Sequence, residues 1–509
     1  MDDAIVTQFL ANACPDHHVR DGGCHWAVKG TAENMLRRMP ELATANFFTA
    51  IVCGEIAEVE RLLRERPPAA TEAGGPKGSA DAAGTHFILE STPAREPFWE
   101  PLHYLCFTRL DRPASNDNAV AIARLLLDHG ANPNAFFFAG SSHYTPLTGV
   151  IGAGEEGRPA HPRQDELTRL LLERGANPYD IQVFYNIHFR RDVLRYVRVA
   201  YDFAIAQGRQ ADWADPEWRM IDMGGYGGGA RWMLGYALEH NDLALAEWLL
   251  AHGASSNPAV PAERRTPPAS TSLWQAAMAH GFTDFAALLV RYGAVPEPRE
   301  PDPETDFLAA CLHTDDAAAT AILARRPDLL TQPHALHMAA RLDRPDVVAF
   351  LLNFGAPIEV EDKNRIRALH VAAWHDARRV ATLLIQRGAQ IDPRETQWGN
   401  TPLDFAVHFG LTSMIDLLAP HSRDIWNLVF TGHVDRVRAV LDAEPSLARA
   451  VTDDGATPLT WLPVSEADAL EMIGLFRARG ADVGVRYQGL TPAERARKRW
   501  MLDAAQALA

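Results

Sequence analysis

Arg367 to Ala389 reads RALHVAAWHDARRVATLLIQRGA, and Thr401 to Leu418 reads TPLDFAVHFGLTSMIDLL. Each stretch encodes a helix, a tight turn and a second helix. Thr401 offers a hydroxyl to cap the first helix, and Pro402 follows at the first helical position, where a missing N–H costs nothing. The small pair Ala372-Ala373 lets the first helix approach its neighbours closely, while Leu384-Ile385 at the end of the second helix faces a shared core. Gly388 then supplies the left-handed stop.

The same phrases recur along the chain. Leu-Leu-x-x-Gly-Ala is found at Leu126 to Ala131, Leu171 to Ala176, Leu249 to Ala254 and Leu351 to Ala356, with Ile385 replacing the second Leu in Leu384 to Ala389. Looser copies end at Gly293-Ala294 and Gly480-Ala481. Upstream of them lie the starts Pro101-Leu102-His103, Thr145-Pro146-Leu147, Thr401-Pro402-Leu403 and Thr457-Pro458-Leu459, with Ala335-Leu336-His337 and Ala368-Leu369-His370 as variants. Gly355 and Gly388 are 33 residues apart. Three further segments, Asn46 to Pro67, Asp306 to Pro327 and Asp424 to Pro445, read as degenerate copies whose second helix stops before a proline.

In period and motif order the chain resembles the ankyrin-repeat family, from about Ala43 to the C-terminus. The resemblance implies an all-α solenoid of about a dozen helix-turn-helix units, each too small to fold alone and stabilised by stacking. It also implies that His103, His337 and His370 are buried structural histidines bonded to the neighbouring loop. The residues just after the small pair of each first helix are implied to face a concave groove. These are Phe107, Glu239, His240, His280, Arg341, Leu342, Trp374, His375, His408 and Phe409, joined by Trp398 at a loop tip. Aromatic, His and Arg side chains are enriched at binding hot spots. The competing reading packs Trp374 and Phe409 on long neighbouring side chains or on a returning loop.

The expected organisation is an N-terminal helical cap over 1–42, repeats over 43–179 with a loop at 71–97, an insertion at 180–229 packed on the solenoid, repeats over 230–489, and a C-terminal capping helix at 490–509. Within the cap, helices are expected at Met1 to Ala13 and Thr31 to Arg38. The insertion contains a basic aromatic helix candidate, Phe184 to Gln207, then Trp213, Trp218 and Gly224 to Gly229. Composition alone speaks for function there. A deep closed pocket lined by Tyr185, Trp213, Trp218 and Tyr226 would make it the site of an enzyme or small-molecule receptor.

The chain's 509 residues, 47% hydrophobic and 22% charged, supply ample core, more than one compact core usually holds. A net charge of −16 argues against nucleic acid as partner and favours a partner with a basic surface. Positive charge is nearly all arginine, and with abundant alanine this points to a GC-rich, bacterial-type coding sequence. Five scattered cysteines fit a reducing compartment, and neither a secretory h-region nor a run of about 18 apolar residues is present. The expectation is a cytoplasmic monomer that does not engage membranes.

Catalytic signatures are sparse. No His-Glu-x-x-His, Gly-x-Ser-x-Gly or Walker-type loop occurs. Gly74-Gly75-Pro76-Lys77-Gly78 lacks phosphate-loop spacing, and Cys14, His17, His18, Cys24 and His25 include zinc-ligand types at a spacing unlike any finger, so a capping loop is read there. The sequence therefore leads to a non-enzymatic scaffold that holds a protein or peptide in its groove, with no cofactor and no metal.

Overall fold

The computed structural model describes residues 2–14, 25–77, 97–139, 142–152, 159–188, 192–214, 229–257, 272–298, 300–453 and 455–509. They are predominantly helical and fall into two compact units, one comprising Met1–Gly208 with Ile425–Ala509, the other Arg209–Asp424. Among the described residues no helix is long and apolar enough to cross a membrane.

Arg209–Asp424 contains six successive helix pairs, the first being Gly229–Glu239 with Leu243–Ala251 and the last Pro402–His408 with Thr412–Leu418. The pair decided by the quoted sequence is Ala368–Trp374 with Arg378–Gln386. Its first helix packs on Pro333–Arg341 before it and Pro402–His408 after it, and its second helix packs on Pro345–Asn353 and Thr412–Leu418. Ala372, Ala373, Ala381 and Leu384 are fully buried at these contacts. The expected capping holds: Thr401 Oγ1 accepts the Asp404 N–H at 3.1 Å, and the Asp404 carboxylate accepts the Thr401 N–H at 2.7 Å.

The reversal inside each pair passes through one residue in the left-handed region: Asn241 (φ 49°), Gly281 (67°), Thr314 (52°), Asp343 (50°), Asp376 (49°) and Gly410 (63°). Left-handed backbone is tolerated best by Gly, Asn and Asp, which accounts for five of the six. Gly281 is also forced by space, since a Cβ there would lie 2.9 Å from the Ala309 backbone nitrogen of the next pair. Asp343 does more than turn. Its carboxylate accepts the Val380 N–H and Arg379 Nε–H, both at 3.0 Å, and its carbonyl accepts Arg379 Nη2–H at 2.7 Å, tying one pair to the next.

The other unit repeats the scheme with more variation. Phe47–Cys53 and Ile56–Glu65 turn at Gly54, and Pro101–Phe107 packs with Ala119–Asp128. Pro146–Ile151 packs with Gln164–Glu173, and a two-stranded hairpin, Phe137–Ala139 with Ser142–Tyr144, precedes that pair. The second helices that end before a proline run into 3-10 turns at Pro67–Ala70, Pro327–Thr331 and Pro445–Arg449.

Several local expectations are corrected. The helix read over Phe184 to Gln207 is two helices, Ile181–Ile187 and Val193–Ala206, packed on Pro146–Ile151 and Gln164–Glu173 respectively, so the start of the insertion has the geometry of another pair. The C-terminal helix is also two, Pro492–Lys498 and Leu502–Ala507, broken at Trp500, which takes φ 56°. Thr457-Pro458-Leu459 starts only a 3-10 turn, Pro458–Thr460. The glycines of Gly74-Gly75 serve packing: a Cβ on Gly74 would strike the Phe48 ring at 2.4 Å, and the Gly74 carbonyl accepts the Tyr104 hydroxyl at 2.8 Å.

Residues from both ends of the sequence interlock within this unit. Arg38 donates to Glu466 at 2.9 Å and Asp503 at 3.1 Å, Asn34 Nδ2–H donates to the Arg499 carbonyl at 3.1 Å, and Trp500 Nε1–H donates to Gln8 Oε1 at 3.2 Å. A Cβ on Gly30 would lie 2.2 Å from Val464 Cγ1. Val is stiff about χ1, so this contact yields poorly. Gly30→Ala is accordingly expected to lower stability in urea unfolding by about 1–2 kcal/mol despite its gain in helix propensity, and Val464→Ala added to it should recover most of the loss. A stabilising Gly30→Ala, or no coupling between the two sites, would contradict this packing.

His103 and His370 hold the loops as anticipated. His103 Nδ1 accepts the Glu100 N–H at 3.0 Å and Nε2 faces the Ala135 carbonyl at 3.2 Å; His370 repeats this with the Arg367 N–H at 3.1 Å and the Pro393 carbonyl at 3.0 Å. His337 is a partial exception: its buried Nε2 makes no hydrogen bond of ordinary geometry, although the Val360 backbone lies close enough to pull on the ring. Accepting at Nδ1 while donating at Nε2 requires a neutral ring. Burial pushes the His103 pKa down to about 4, against the favourable pull of its carbonyl partner. An unfolded chain takes up this proton near pH 6.5, so between 6.5 and about 4 the unfolded state binds more protons and stability falls with falling pH. The cost of His103→Asn, about 1–3 kcal/mol at neutral pH, should therefore shrink as pH drops through this window in thermal unfolding. A cost independent of pH would speak against the neutral ring.

Candidate partner-binding surface

The surface is built where Ala368–Trp374, Pro402–His408 and the loop between their pairs come together. Trp374 ends its helix and Phe409 caps the next one, so the two rings stand one position apart in the register of adjacent pairs, Trp374 matching His408 and His375 matching Phe409. Their centroids are 5.0 Å apart, edge to face. Trp398 stacks on Trp374 with centroids 5.9 Å apart and planes 25° apart. Beneath them lies Phe405, which is 2% exposed and meets Trp374 edge to face at 4.9 Å. His408 stands exposed against Phe409 at 4.8 Å.

Part of the competing reading is therefore correct, because Trp374 and Phe409 do pack on neighbours. They do so without disappearing. Trp374 remains 40% and Trp398 55% exposed, and these are the only exposed tryptophans among residues whose side chains are described.

Trp398 is held by a carboxylate that composition and motif reading passed over. Glu395 is 2% exposed and accepts the backbone N–H groups of Gln397 at 2.6 Å, Trp398 at 2.8 Å and Asn400 at 2.8 Å. Burial alone would raise its pKa; the three N–H donors override that and hold the carboxyl below its usual range. Thr396 adds bonds from its N–H and hydroxyl to the Asn364 carbonyl, fastening the loop to the one before it. The only sequence signal was an acidic residue three positions before the loop-tip tryptophan, which is common in turns. Phe405 was likewise missed, for its place in the helix looks like ordinary core.

The remaining candidates are distributed along the first-helix ends. His280 caps Leu273–Ala279, and burial lowers its pKa first, with further lowering from Arg341 and His334 and an opposing pull from Glu239. Arg341, His280 and Glu239 thus lie within electrostatic reach. Arg341 is half-buried and its Nε lacks a hydrogen-bond partner, while Leu342 and His375 are half-buried helix caps. His240 stacks on Tyr236 of its own helix at 4.1 Å. His313 occupies the equivalent cap position of Pro303–Leu312 and was not anticipated.

Phe107 is a correction. It is fully buried in the other unit, wedged against Trp99 at 4.9 Å and Phe137 at 5.3 Å, and Gly149 leaves room for its ring. The hairpin and Trp99 cover the position that stays open after Trp374.

Chemistry is thin elsewhere. Cys53, Cys106 and Cys311 are buried, and burial pushes Cys53 and Cys311 thiols up to about 12 and the Cys106 thiol higher still, the opposite of a nucleophile. Cys14 points its thiol at the Tyr104 carbonyl, while His17, His18, Cys24, Trp218 and Tyr226 lie outside the described residues, as do the side chains of His25 and Trp213. Tyr185 is buried against His188.

If Glu395 sets the tryptophan loop, Glu395→Gln removes the anionic acceptor from all three N–H donors and sets an NH2 donor against at least one of them. The expected outcome is a loss of about 1.5–3 kcal/mol and a red-shifted, more quenchable tryptophan emission in acrylamide titration. Unchanged emission and stability would show the carboxylate to be dispensable.

Comparison with known proteins meets this geometry in the same place. A family model described as ankyrin repeats matches residues 306–395 and, overlapping, 336–428. The B-cell lymphoma 3 protein homolog of Mus musculus is 29% identical over 129 residues, 24% of this chain and 29% of that protein. Glycerophosphocholine phosphodiesterase GDE1 of Eremothecium gossypii is 32% identical over 94 residues, 18% of this chain and 7% of that protein. The chain thus spans under a third of either relative. A solved ankyrin repeat domain from Acinetobacter baumannii is 22% identical and covers 34% of this chain and 95% of its own, with a TM-score of 0.27. The repeated phrases, the left-handed turns and the family match coincide over residues 306–428, and that segment of the chain consists of ankyrin repeats.

Proposed function

We propose that the chain is a non-enzymatic scaffold that binds a protein or peptide partner on the aromatic surface formed by Trp374, Trp398 and Phe409, flanked by His375, His408, Arg341 and Leu342. The single observation that carries this reading is that the two exposed tryptophans of the described chain stack on each other over a buried phenylalanine. Exposed tryptophans in contact are rare in a surface that serves only solubility, and a partner that covers them recovers their hydrophobic area. Helix pairs outside residues 306–428 are taken as divergent copies of the same unit, extending the solenoid towards a dozen units, with His240 and His280 continuing the binding face. The net charge of −16 favours a basic partner, and we place the protein in the cytoplasm as a monomer.

Affinity capture from the source cell tests the proposal with the full chain, a Trp374→Ala/Trp398→Ala/Phe409→Ala variant, and Tyr292→Ala as a control at an exposed aromatic elsewhere. A partner should be retained by wild type and the control and lost by the triple variant. With the purified partner, Trp398→Ala alone should weaken binding by about 2 kcal/mol or more, and association should slow with added salt. Retention of every captured protein by the triple variant would end the proposal.

A further inference from the structure

The hydrogen bonding around Trp374 and Trp398 narrows the class of partner that fits them. An indole has one polar atom, the Nε1–H, which donates and never accepts. Among the described residues neither Trp374 nor Trp398 donates this hydrogen to any acceptor, whereas the Trp500 Nε1–H reaches Gln8. The loop that carries Trp398 meanwhile spends its acceptors on itself. The Glu395 carboxylate takes the N–H groups of Gln397, Trp398 and Asn400, the Gly399 carbonyl takes Arg394 Nη1–H at 2.7 Å, and the Asn400 carbonyl takes the Glu395 N–H at 3.1 Å. The surface thus offers aromatic faces and unspent indole donors.

Several recurrent ways of holding a peptide do not suit this arrangement. Strand addition needs a backbone edge with free N–H groups, and those of Glu395, Thr396, Gln397, Trp398 and Asn400 are already bonded. An amphipathic helix seeks a groove and keeps its carbonyls for its own backbone, whereas these indoles stand 40% and 55% exposed and would keep their donors unmet. A phosphorylated motif calls for clustered arginines, and Arg394 is committed to Gly399 and to the Asp424 carboxylate 3.5 Å away. Polyproline II fits on each count. Proline has no N–H, the helix makes no internal hydrogen bonds and so exposes its carbonyls, and a pyrrolidine ring lies flat on an aromatic face. Trp398 and Phe409 lie 5.9 and 5.0 Å from Trp374, so the three rings span at most about 11 Å, and one polyproline II turn rises about 9 Å.

Resting on the reading of this surface as a partner site, we infer that the partner presents a proline-rich segment in the polyproline II conformation, its prolines seated on the Trp374 and Trp398 rings and its carbonyls accepting their Nε1–H groups. Basic residues flanking such a segment would suit the net charge of −16. The probe is blocked decaproline, titrated into the full chain and followed by tryptophan emission and saturation-transfer NMR, with a blocked Gly-Ser decamer and a blocked alanine-rich helical peptide as comparisons. Decaproline should bind at least tenfold more tightly than either and shift the emission to the blue. Trp398→Ala should weaken it at least tenfold. Trp398→Phe keeps a ring and removes the N–H, and should weaken it severalfold while unfolding in urea as wild type does; Tyr292→Ala should leave binding unchanged. The inference is overturned if decaproline gives no signal, if either comparison peptide matches it, or if Trp398→Ala or Trp398→Phe binds it as wild type does. Each of these results leaves the scaffold reading in place, because that reading fails only when the triple variant retains every captured protein.

Discussion

Neither helix of a pair in this chain is long enough to stand by itself. Ala368–Trp374 has 7 residues and Arg378–Gln386 has 9, whereas isolated helices shorter than about 12–15 residues are marginal in water. The apolar faces must be covered by the pairs before and after, and that requirement dictates the small alanines of the first helix, the leucines of the second and the tight left-handed turn between them. Stability in such a stack is shared between neighbours. The bonds from Asp343 to Arg379 and Val380 show the polar side of the same constraint, because the turn that reverses one pair also anchors the next.

The aromatic ridge of Trp374, Trp398 and Phe409 follows from this economy of contact. A first helix that is buried along its length still has an end, and the residue at that end is released from the core. At Trp374 and Phe409 the released residues are large and apolar, and the loop between them brings Trp398 onto the same ridge. Phe405 supplies a rigid floor, and Glu395 replaces loop freedom with three backbone hydrogen bonds. In the other unit the equivalent end, at Phe107, is closed by Trp99 and Phe137. The two outcomes differ in what the neighbouring segments place over the ring, and one fold thus yields a core residue in one pair and an exposed aromatic in another.

What could be read from the sequence was the local grammar. Thr-Pro starts, Gly stops and buried histidines carry their physics in single residues, and the helices appear where those signals stand. Trp374 and Phe409 were legible together because each stands within two residues of the left-handed turn of its pair, at Asp376 and Gly410, and Trp398 lies on the loop between those pairs. Phe107 satisfied the same positional rule and is buried, since exposure depends on a hairpin and a tryptophan from outside its helix. The interlocking of Arg38 with Glu466 and Asp503 joins residues more than 400 positions apart, and no periodic pattern encodes such a pairing. The helix end at Ile187 and the break at Trp500 were hidden because no proline or glycine marks either position. The role of Glu395 was invisible for a related reason, as hydrogen-bond satisfaction is a property of neighbours in space.

The account depends most on the tryptophan ridge being a fixed part of the folded chain, displayed in the absence of any partner. Amide hydrogen exchange on the free protein tests this directly at Gln397, Trp398 and Asn400, whose N–H groups are bonded to the Glu395 carboxylate. Protection comparable to that of the adjoining helix Pro402–His408 is the predicted result. Exchange of these three amides at the rate of an unstructured peptide, while that helix stays protected, would contradict it.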